Sequence, residues 1–340
     1  MCRRWQTVRT VQMAADARQP LVVVTDFGFT DDLAVERAAL EPLGCTIIGA
    51  QCRTAEEVAE AVKDADFVLT QFAPVTALAI QAMARARLIT RYGIGVDNVD
   101  LVAARERGIP VYNVPDYCID EVADHTLGLI LSLTRQIAPI SANVKAGGWK
   151  RPAPLPKFYA LRDLTSGVVG CGRIGRQVIA RLRSYRTRIL AYDPAMNADQ
   201  ITALGAEPVS LDQLYEQSDL VTLHCPSTPE NRRMINASTL SRMKAGVIFI
   251  NVARGTLVDQ GALIEALRSG RVGAAGLDVT DPEPIESDSP LLSMDNVVIT
   301  NHCASGSDQA AVLLRQGVID TVVLTLRGER PASCVNGVSS

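Results

Sequence analysis

The chain has 340 residues, 47% of them apolar, and its 34 Lys and Arg against 37 Asp and Glu leave a formal net charge of −3. That balance argues against a nucleic-acid partner, because affinity for a phosphate backbone needs clustered positive charge. The length exceeds the roughly 250–300 residues at which a single core stops growing, so two domains are expected. No uninterrupted apolar run reaches the roughly 20 residues that span a bilayer, and the first 20 residues are too polar for a signal-peptide core. These features predict a cytoplasmic protein with no membrane partner.

Residues 1–20 read as a disordered extension with dispersed charges at Arg3, Arg4, Arg9 and Arg18. From residue 21 to 114 short apolar runs alternate with amphipathic ones. LVVVT, CTIIGA, DFVLT, RLITR and PVYNV predict strands, and residues 54–65 predict a helix in which Thr54 and Glu57 have capping-box spacing. Strands separated by helices imply parallel βαβ units, so a five-stranded, flavodoxin-like open sheet is expected here. Residues 120–136 predict a long helix, apolar around most of its circumference and therefore buried between domains or subunits. The stretch 145–164, broken by Gly and Pro, predicts an arm.

A second α/β series follows, with strands predicted at SGVVG, RILAYD, LVTLHC, VIFINV, AAGLDV and VVITN, and a final helix over residues 307–326 that returns to the first half. The fold class expected is α/β, with two doubly wound parallel-sheet domains. Residues 21–119 with 305–335 form a split flavodoxin-like substrate domain, and residues 120–304 form an inserted Rossmann dinucleotide-binding domain with a dimerisation helix and arm at 120–164. The eight cysteines (Cys2, Cys45, Cys52, Cys118, Cys171, Cys225, Cys303 and Cys334) form no C-x-x-C pair and read as reduced thiols, and their spacing offers no metal site.

Gly170, Gly172 and Gly175 form G-x-G-x-x-G between a predicted strand and helix, and Asp193 ends the next strand 18 residues after Gly175. Alone the motif could serve tight packing only. In this context the glycines let a pyrophosphate approach a helix N-terminus, and the acid accepts from ribose hydroxyls. Pro194, Ala195 and Met196 follow Asp193 with no Arg to receive a 2′-phosphate, which favours NAD over NADP.

Arg254, Glu283 and His302 each follow a predicted strand, where side chains converge on the ligand crevice of such a sheet. Carbonyl reduction needs a cation to hold a carboxylate and polarise the carbonyl, plus an acid to supply a proton. Arg254 and His302 meet those needs, and Glu283 would pair with His302 and keep it protonated. His125, among apolar neighbours on the long helix, reads as structural, and the thiols of Cys171, Cys225 and Cys303 as small packing groups.

The segments RYGIGVDNVD (91–100), GCGRIGRQV (170–178), LHCPSTPE (223–230), INVARGTLVD (250–259), GLDVTDPEP (276–284) and NVVITNHCAS (296–305) resemble those of the D-isomer-specific 2-hydroxyacid dehydrogenases. PDYCIDEVADHT and TLHCPSTPE are most similar to the C-terminal-binding-protein-like branch, which includes corepressors. The resemblance implies a homodimer that interconverts a small 2-keto acid and a 2-hydroxy acid with NAD, using Arg254, Glu283 and His302 as catalytic residues. Tyr92, Gly93, Ile94 and Gly95 match the loop whose amides receive the substrate carboxylate. Gly170, Gly172, Arg173, Ile174, Gly175, Asp193, His224, Cys225, Pro226, Thr228, Val252, Ala253 and His302 match cofactor-contacting positions, and Asp278 matches the acid on the nicotinamide carboxamide. Two departures stand out: Asn301 replaces the usual Pro before the histidine, and Ser305 and Gly306 replace an aromatic pair of the similar branch. A dinucleotide-sensing regulator and a phosphite dehydrogenase-like enzyme are the alternatives.

Overall fold

The computed structural model describes residues 18–29, 32–149 and 157–338. The chain divides into two compact units, Met1–Pro115 with Val312–Ser340, and Asp116–Ala311. Of the predicted extension, residues 1–20, residues 1–17 lie outside the described residues, as do residues 150–156 of the predicted arm, whereas Arg18, expected in the disordered extension, pairs with Asp66 at 2.9 Å.

In the first unit, β1 (Leu21–Val24), β2 (Thr46–Gly49), β3 (Phe67–Thr70), β4 (Leu88–Arg91) and β5 (Val111–Tyr112) form a parallel sheet of order β2-β1-β3-β4-β5. This is the flavodoxin-like order. Helices α1 (Ala34–Leu40), α2 (Ala55–Ala61), α3 (Ala77–Ala82) and α4 (Leu101–Glu106) connect the strands. The whole of β3 is buried, which is why it reads as an unbroken apolar run rather than an alternating one. Val23, Val58, Val68, Ile80 and Ile89 meet in one core, each worth about 1.5–3 kcal/mol of transfer free energy.

Thr54 and Glu57 do form the capping box on α2, but the helix stops at Ala61, short of the expected residue 65. The carbonyl of Asp64 accepts from Arg18 and Arg85, and the Asp66 side chain accepts from Leu21 N–H, so this backbone is spent on joining strands. The last helix, Asp308–Leu326, is long and apolar enough by composition to cross a membrane, yet Leu314, Val318, Ile319 and Val322 are buried in this unit. Its Arg315 reaches a fully buried carboxylate, Glu36 on α1.

The second unit carries β6 (Thr165–Val169), β7 (Arg188–Tyr192), β8 (Glu207–Pro208), β9 (Leu220–Leu223), β10 (Val247–Asn251), β11 (Val272–Leu277) and β12 (Val297–Ile299) in the order β12-β11-β10-β9-β6-β7-β8. All neighbours are parallel. Counted from β6, six of the seven strands follow the Rossmann order 3-2-1-4-5-6 and β12 extends it, so the order reverses between β6 and β9. The two-residue edge strand β8, ending in Pro208, has no apolar run to announce it.

Helix α5 (Ile119–Thr134) matches the expected long helix, but much of its apolar girdle is covered inside its own unit, by the sheet at β10 and β11 and by α7 (Arg173–Ser184). A Cβ on Gly276 of β11 would lie 3.1 Å from Leu129 Cβ, so glycine lets this helix settle on the sheet. Thr126 and Thr134 donate to the carbonyls of Val122 and Ile130, at 2.7 and 2.8 Å, which satisfies two buried hydroxyls. Arg181 of α7 holds Asp120 and Asp124 of α5 at 2.8 and 2.6 Å. A left-handed residue, Gln136 (φ 54°), then starts a separate helix, α6 (Ile137–Lys145), ahead of the expected arm.

Candidate active site

The glycine turn follows β6. Gly170 has φ 92°, and a Cβ there would lie 2.7 Å from the backbone at His224 and Cys225. One on Gly175 would fall 2.0 Å from the Gly170 carbonyl oxygen. Both positions therefore require glycine. Gly172 caps α7 without a side-chain acceptor, and among the described residues the amides of Arg173, Ile174 and Gly175 have no partner. An open, cradle-like helix N-terminus fits a pyrophosphate. The Arg173 side chain is engaged with Asp116 at 2.6 Å, so this residue faces an anion with its amide. Asp193 accepts from Cys171 N–H (2.7 Å) and Ala195 N–H (2.8 Å), which ties the end of β7 to the glycine turn.

Beside it, after β9, His224 donates its amide to Val169 O, and its Nε2 lies 3.0 Å from Thr222 Oγ1. Burial lowers the imidazole to about 3, so it is neutral, and its buried Nδ1 has no partner among the described residues. Burial raises Cys171 to about 12 and Cys225 to about 11, leaving both as thiols. Asn231 pins the next loop by accepting from Thr228 N–H and donating to Pro226 O.

The ends of β10, β11 and β12 carry the polar cluster. Buried Asn251 donates to Arg254 O (2.8 Å) and accepts from Ala253 N–H (3.1 Å), closing the turn through Val252 that presents Arg254. A Cβ on Gly255 would lie 1.9 Å from Thr280 O, so this turn is pressed against the one after β11. There Glu283 Oε1 accepts from Thr280 N–H (3.1 Å), while Oε2 lies 2.8 Å from His302 Nδ1. Partial burial pushes the Glu283 carboxyl up. The hydrogen bond and charge of His302, the Thr280 amide and the charge of Arg254 outweigh it and hold the group below its ordinary value. The three residues expected to act together are thus brought together.

His302 itself has φ 55°, the left-handed region, which costs a non-glycine residue on the order of 1 kcal/mol or more. Asp278, matched by resemblance to a cofactor contact, is 2% exposed. Its carboxylate accepts from Thr300 Oγ1 (2.5 Å), Cys303 N–H (3.0 Å) and Ala304 N–H (3.0 Å). His125 Nε2, a carboxylate oxygen of Asp278 and Cys303 Sγ lie within 4.8 Å of one another, the one such grouping of potential metal ligands among the described residues. Sequence spacing could not signal it, since the three come from separate elements.

In the first unit, the loop after β4 differs from expectation in one respect. Tyr92 is turned inward, 1% exposed, with its hydroxyl 3.2 Å from Glu36; burial first, then Glu36, pushes that phenol well up. Its side chain is a support, and the loop's binding capacity lies in backbone. Gly93 has φ 145°, and a Cβ there would collide with Arg91. Asn113 holds Ile94 O at 2.6 Å, while the amides of Ile94 and Gly95 have no partner among the described residues. Sequence reasoning missed Glu36, Arg315, Asn231, Asn251 and Thr300; Asn251 and Thr300 lie inside the segments 250–259 and 296–305, where they were overlooked beside Arg254 and His302, and the other three lie outside every quoted segment.

The Rossmann strand order, the glycine turn and the open terminus of α7 define a dinucleotide-binding α/β protein. Residues 127–304 match the family model described as D-isomer specific 2-hydroxyacid dehydrogenase, NAD binding domain. The chain is 39% identical over 83% of its length to a D-3-phosphoglycerate dehydrogenase of Methanocaldococcus jannaschii, covering 54% of that protein. It is 38% identical over 82% of its length to a glyoxylate reductase of Korarchaeum cryptofilum, covering 85% of it. Among solved structures, D-lactate dehydrogenase from Aquifex aeolicus, complexed with NAD and lactic acid, superposes with a TM-score of 0.83 at 30% identity, over 91% of this chain and 96% of that one. The chain belongs to the D-isomer-specific 2-hydroxyacid dehydrogenase family. It spans about half the length of the D-3-phosphoglycerate dehydrogenases it matches.

Proposed function

We propose that this protein is an NAD-dependent D-2-hydroxyacid dehydrogenase that runs mainly as a 2-keto acid reductase. The observation that carries the reading is the 2.8 Å pair of His302 Nδ1 and Glu283 Oε2, on adjacent strand-end turns with the charge of Arg254 acting on it. His302 delivers a proton to the carbonyl oxygen from its Nε2, and Glu283 orients the ring by holding Nδ1. Arg254 offers a planar fork suited to a carboxylate and a neighbouring carbonyl. The amides of Ile94 and Gly95, without a partner among the described residues, suit a carboxylate oxygen. Bound NADH supplies the hydride to the carbonyl carbon; its pyrophosphate would lie on the α7 amides and its ribose near Asp193. The Asp193 carboxylate repels a 2′-phosphate, so NADH outperforms NADPH.

The working form is a homodimer in the cytoplasm. Ile137 and Val144 of α6 and Trp149 beyond it are exposed apolar side chains, beside a cavity of about 690 Å³ lined by Leu133, Pro139, Ile140 and Tyr159. A second copy of the chain would cover them. Free thiols at Cys45, Cys52, Cys118, Cys171 and Cys225 suit a reducing compartment. Ser305 and Gly306 leave room near His302 for an extended or aryl 2-keto acid.

A panel of 2-keto acids, from glyoxylate and pyruvate to aryl derivatives, followed by loss of NADH absorbance, tests the reading. Turnover of at least one is expected, with efficiency rising towards the larger acids. NADH binding without turnover of any acid would overturn it in favour of a dinucleotide-sensing regulator.

A further inference from the structure

We propose that His125, acting through Thr300 and Asp278, is a positioning residue that fixes the backbone turn presenting His302. The inference rests on the reading of His302 as the proton donor, and it goes beyond that reading in giving Asp278 a part in holding the histidine turn.

Three successive amides are held by one residue. His302 N–H donates to the backbone carbonyl of Asp278 at 2.8 Å, Cys303 N–H to Oδ1 at 3.0 Å and Ala304 N–H to Oδ2 at 3.0 Å. The first of these amides belongs to the residue with φ 55°. A side chain in that region persists only where its surroundings over-determine it, and this clamp does so. Gly306 N–H closes the turn behind, on Cys303 O at 2.8 Å.

The clamp is itself a buried carboxylate, and the hydrogen bonds behind it have one direction. Thr300 Oγ1 lies 2.5 Å from Asp278 Oδ1 and 3.0 Å from His125 Nε2. A hydroxyl has one proton, and an ionised carboxylate can only accept. The Thr300 proton therefore goes to Asp278, so Thr300 accepts from His125 and Nε2 carries a proton. His125 Nε2 also lies 3.6 Å from Asp278 Oδ1, so the three side chains form one compact group. His125 is well anchored for this task. Its helix, α5, is tied to α7 by Arg181 on Asp120 and Asp124, and to the chain beyond the turn by Ser307 on Glu121 at 2.7 Å.

Thr300→Val removes the relay hydroxyl at nearly constant volume, Thr300→Ser keeps it, and His125→Gln keeps an N–H donor without a charge. For Thr300→Val, kcat for 2-keto acid reduction should fall on the order of tenfold to a hundredfold, as expected of a slightly misplaced acid, with KM for NADH within about twofold of the native value. Thr300→Ser should recover most of the loss. If Thr300→Val instead raises KM for NADH at unchanged kcat, Asp278 serves the cofactor and the proposal fails.

A readout independent of activity comes from the three histidines of the chain, which nitrogen-15 labelling of imidazole makes individually visible. The native protein should show His125 with a proton on Nε2, and Thr300→Val should move the His302 signals while leaving those of His224 in place. Native His125 protonated on Nδ1 alone, or His302 signals indifferent to Thr300→Val and His125→Gln alike, would overturn the relay. Because these spectra need no substrate, they decide the relay even if no 2-keto acid is turned over.

Discussion

Asp26 in the first unit and Asp278 in the second hold loops in the same way, each across to the chain beyond the neighbouring strand. After β1, Asp26 accepts from Gln71 N–H on Oδ1 (2.9 Å) and from Phe72 N–H on Oδ2 (2.6 Å), just beyond β3. After β11, Asp278 accepts from Cys303 and Ala304, just beyond β12. The backing differs. Behind Asp26 stand the hydroxyls of Thr25 and Thr70, at 2.9 and 3.3 Å, whereas behind Asp278 the hydroxyl of Thr300 is itself bonded to an imidazole. The loops also carry different cargo: Phe72, 59% exposed, on one, and His302, hydrogen-bonded to Glu283, on the other. A carboxylate on two adjacent amides is thus a general device for rigid strand-end loops. Its coupling to a group that can carry charge marks the loop where we place the proton transfer.

The sharpest way to break this contrast is to change the cargo. His302→Gln should lower reduction by about 10²–10⁴-fold, the usual worth of a general acid, while NADH binding measured by fluorescence stays close to native. Phe72→Ala, which removes no proton donor, should leave kcat nearly unchanged. Equal losses of kcat in the two variants would erase the distinction.

Next come the clamps. Alanine at either aspartate strands two loop amides, and each unsatisfied amide costs about 1–3 kcal/mol. Hydrogen exchange should quicken at Gln71 and Phe72 in Asp26→Ala, and at Cys303 and Ala304 in Asp278→Ala, with kcat falling chiefly in the second. Exchange that stays slow in both would show that the loops hold themselves.

A smaller effect concerns pH. The Glu283 carboxyl is held below its ordinary value, so its pairing with His302 is present above that lowered value and is lost as pH falls through it. The acid limb of reduction attributable to Glu283 should therefore lie below the ordinary carboxylate range. Glu283→Gln should abolish that limb, since an amide does not titrate there. An unchanged pH profile of initial rates would remove Glu283 from this role. The smallest change is expected at Asp193→Ser, which should narrow the preference for NADH over NADPH by weakening repulsion of a 2′-phosphate; competing initial rates with the two cofactors measure it.

Local pattern carried much of the architecture. Apolar runs such as LVVV and VIFIN announced β1 and β10, the Thr54 and Glu57 pair announced the start of α2, and three glycines between strand and helix announced the open terminus of α7. Each depends on residues a few positions apart, where pleat, helical period and capping chemistry act directly. The positions of Arg254, Glu283 and His302 after successive parallel strands were legible too, because parallel strands deliver their C-terminal ends to one edge of the sheet.

Other features belong to the tertiary structure alone. An apolar girdle on residues 120–136 says that something must cover it, and only the packed chain shows β10, β11 and α7 doing much of that work. His125 meets Thr300 across 175 residues, and Arg315 meets Glu36 across 279. Neither pair has a spacing that sequence could reveal, since which polar side chain faces which is set by the register of distant elements after they pack. The same holds for Asp278. By itself the sequence determined that an acid follows β11; the decision that its oxygens go to the histidine turn was made by the left-handed backbone of His302, which brings the next two amides within hydrogen-bond reach of that carboxylate.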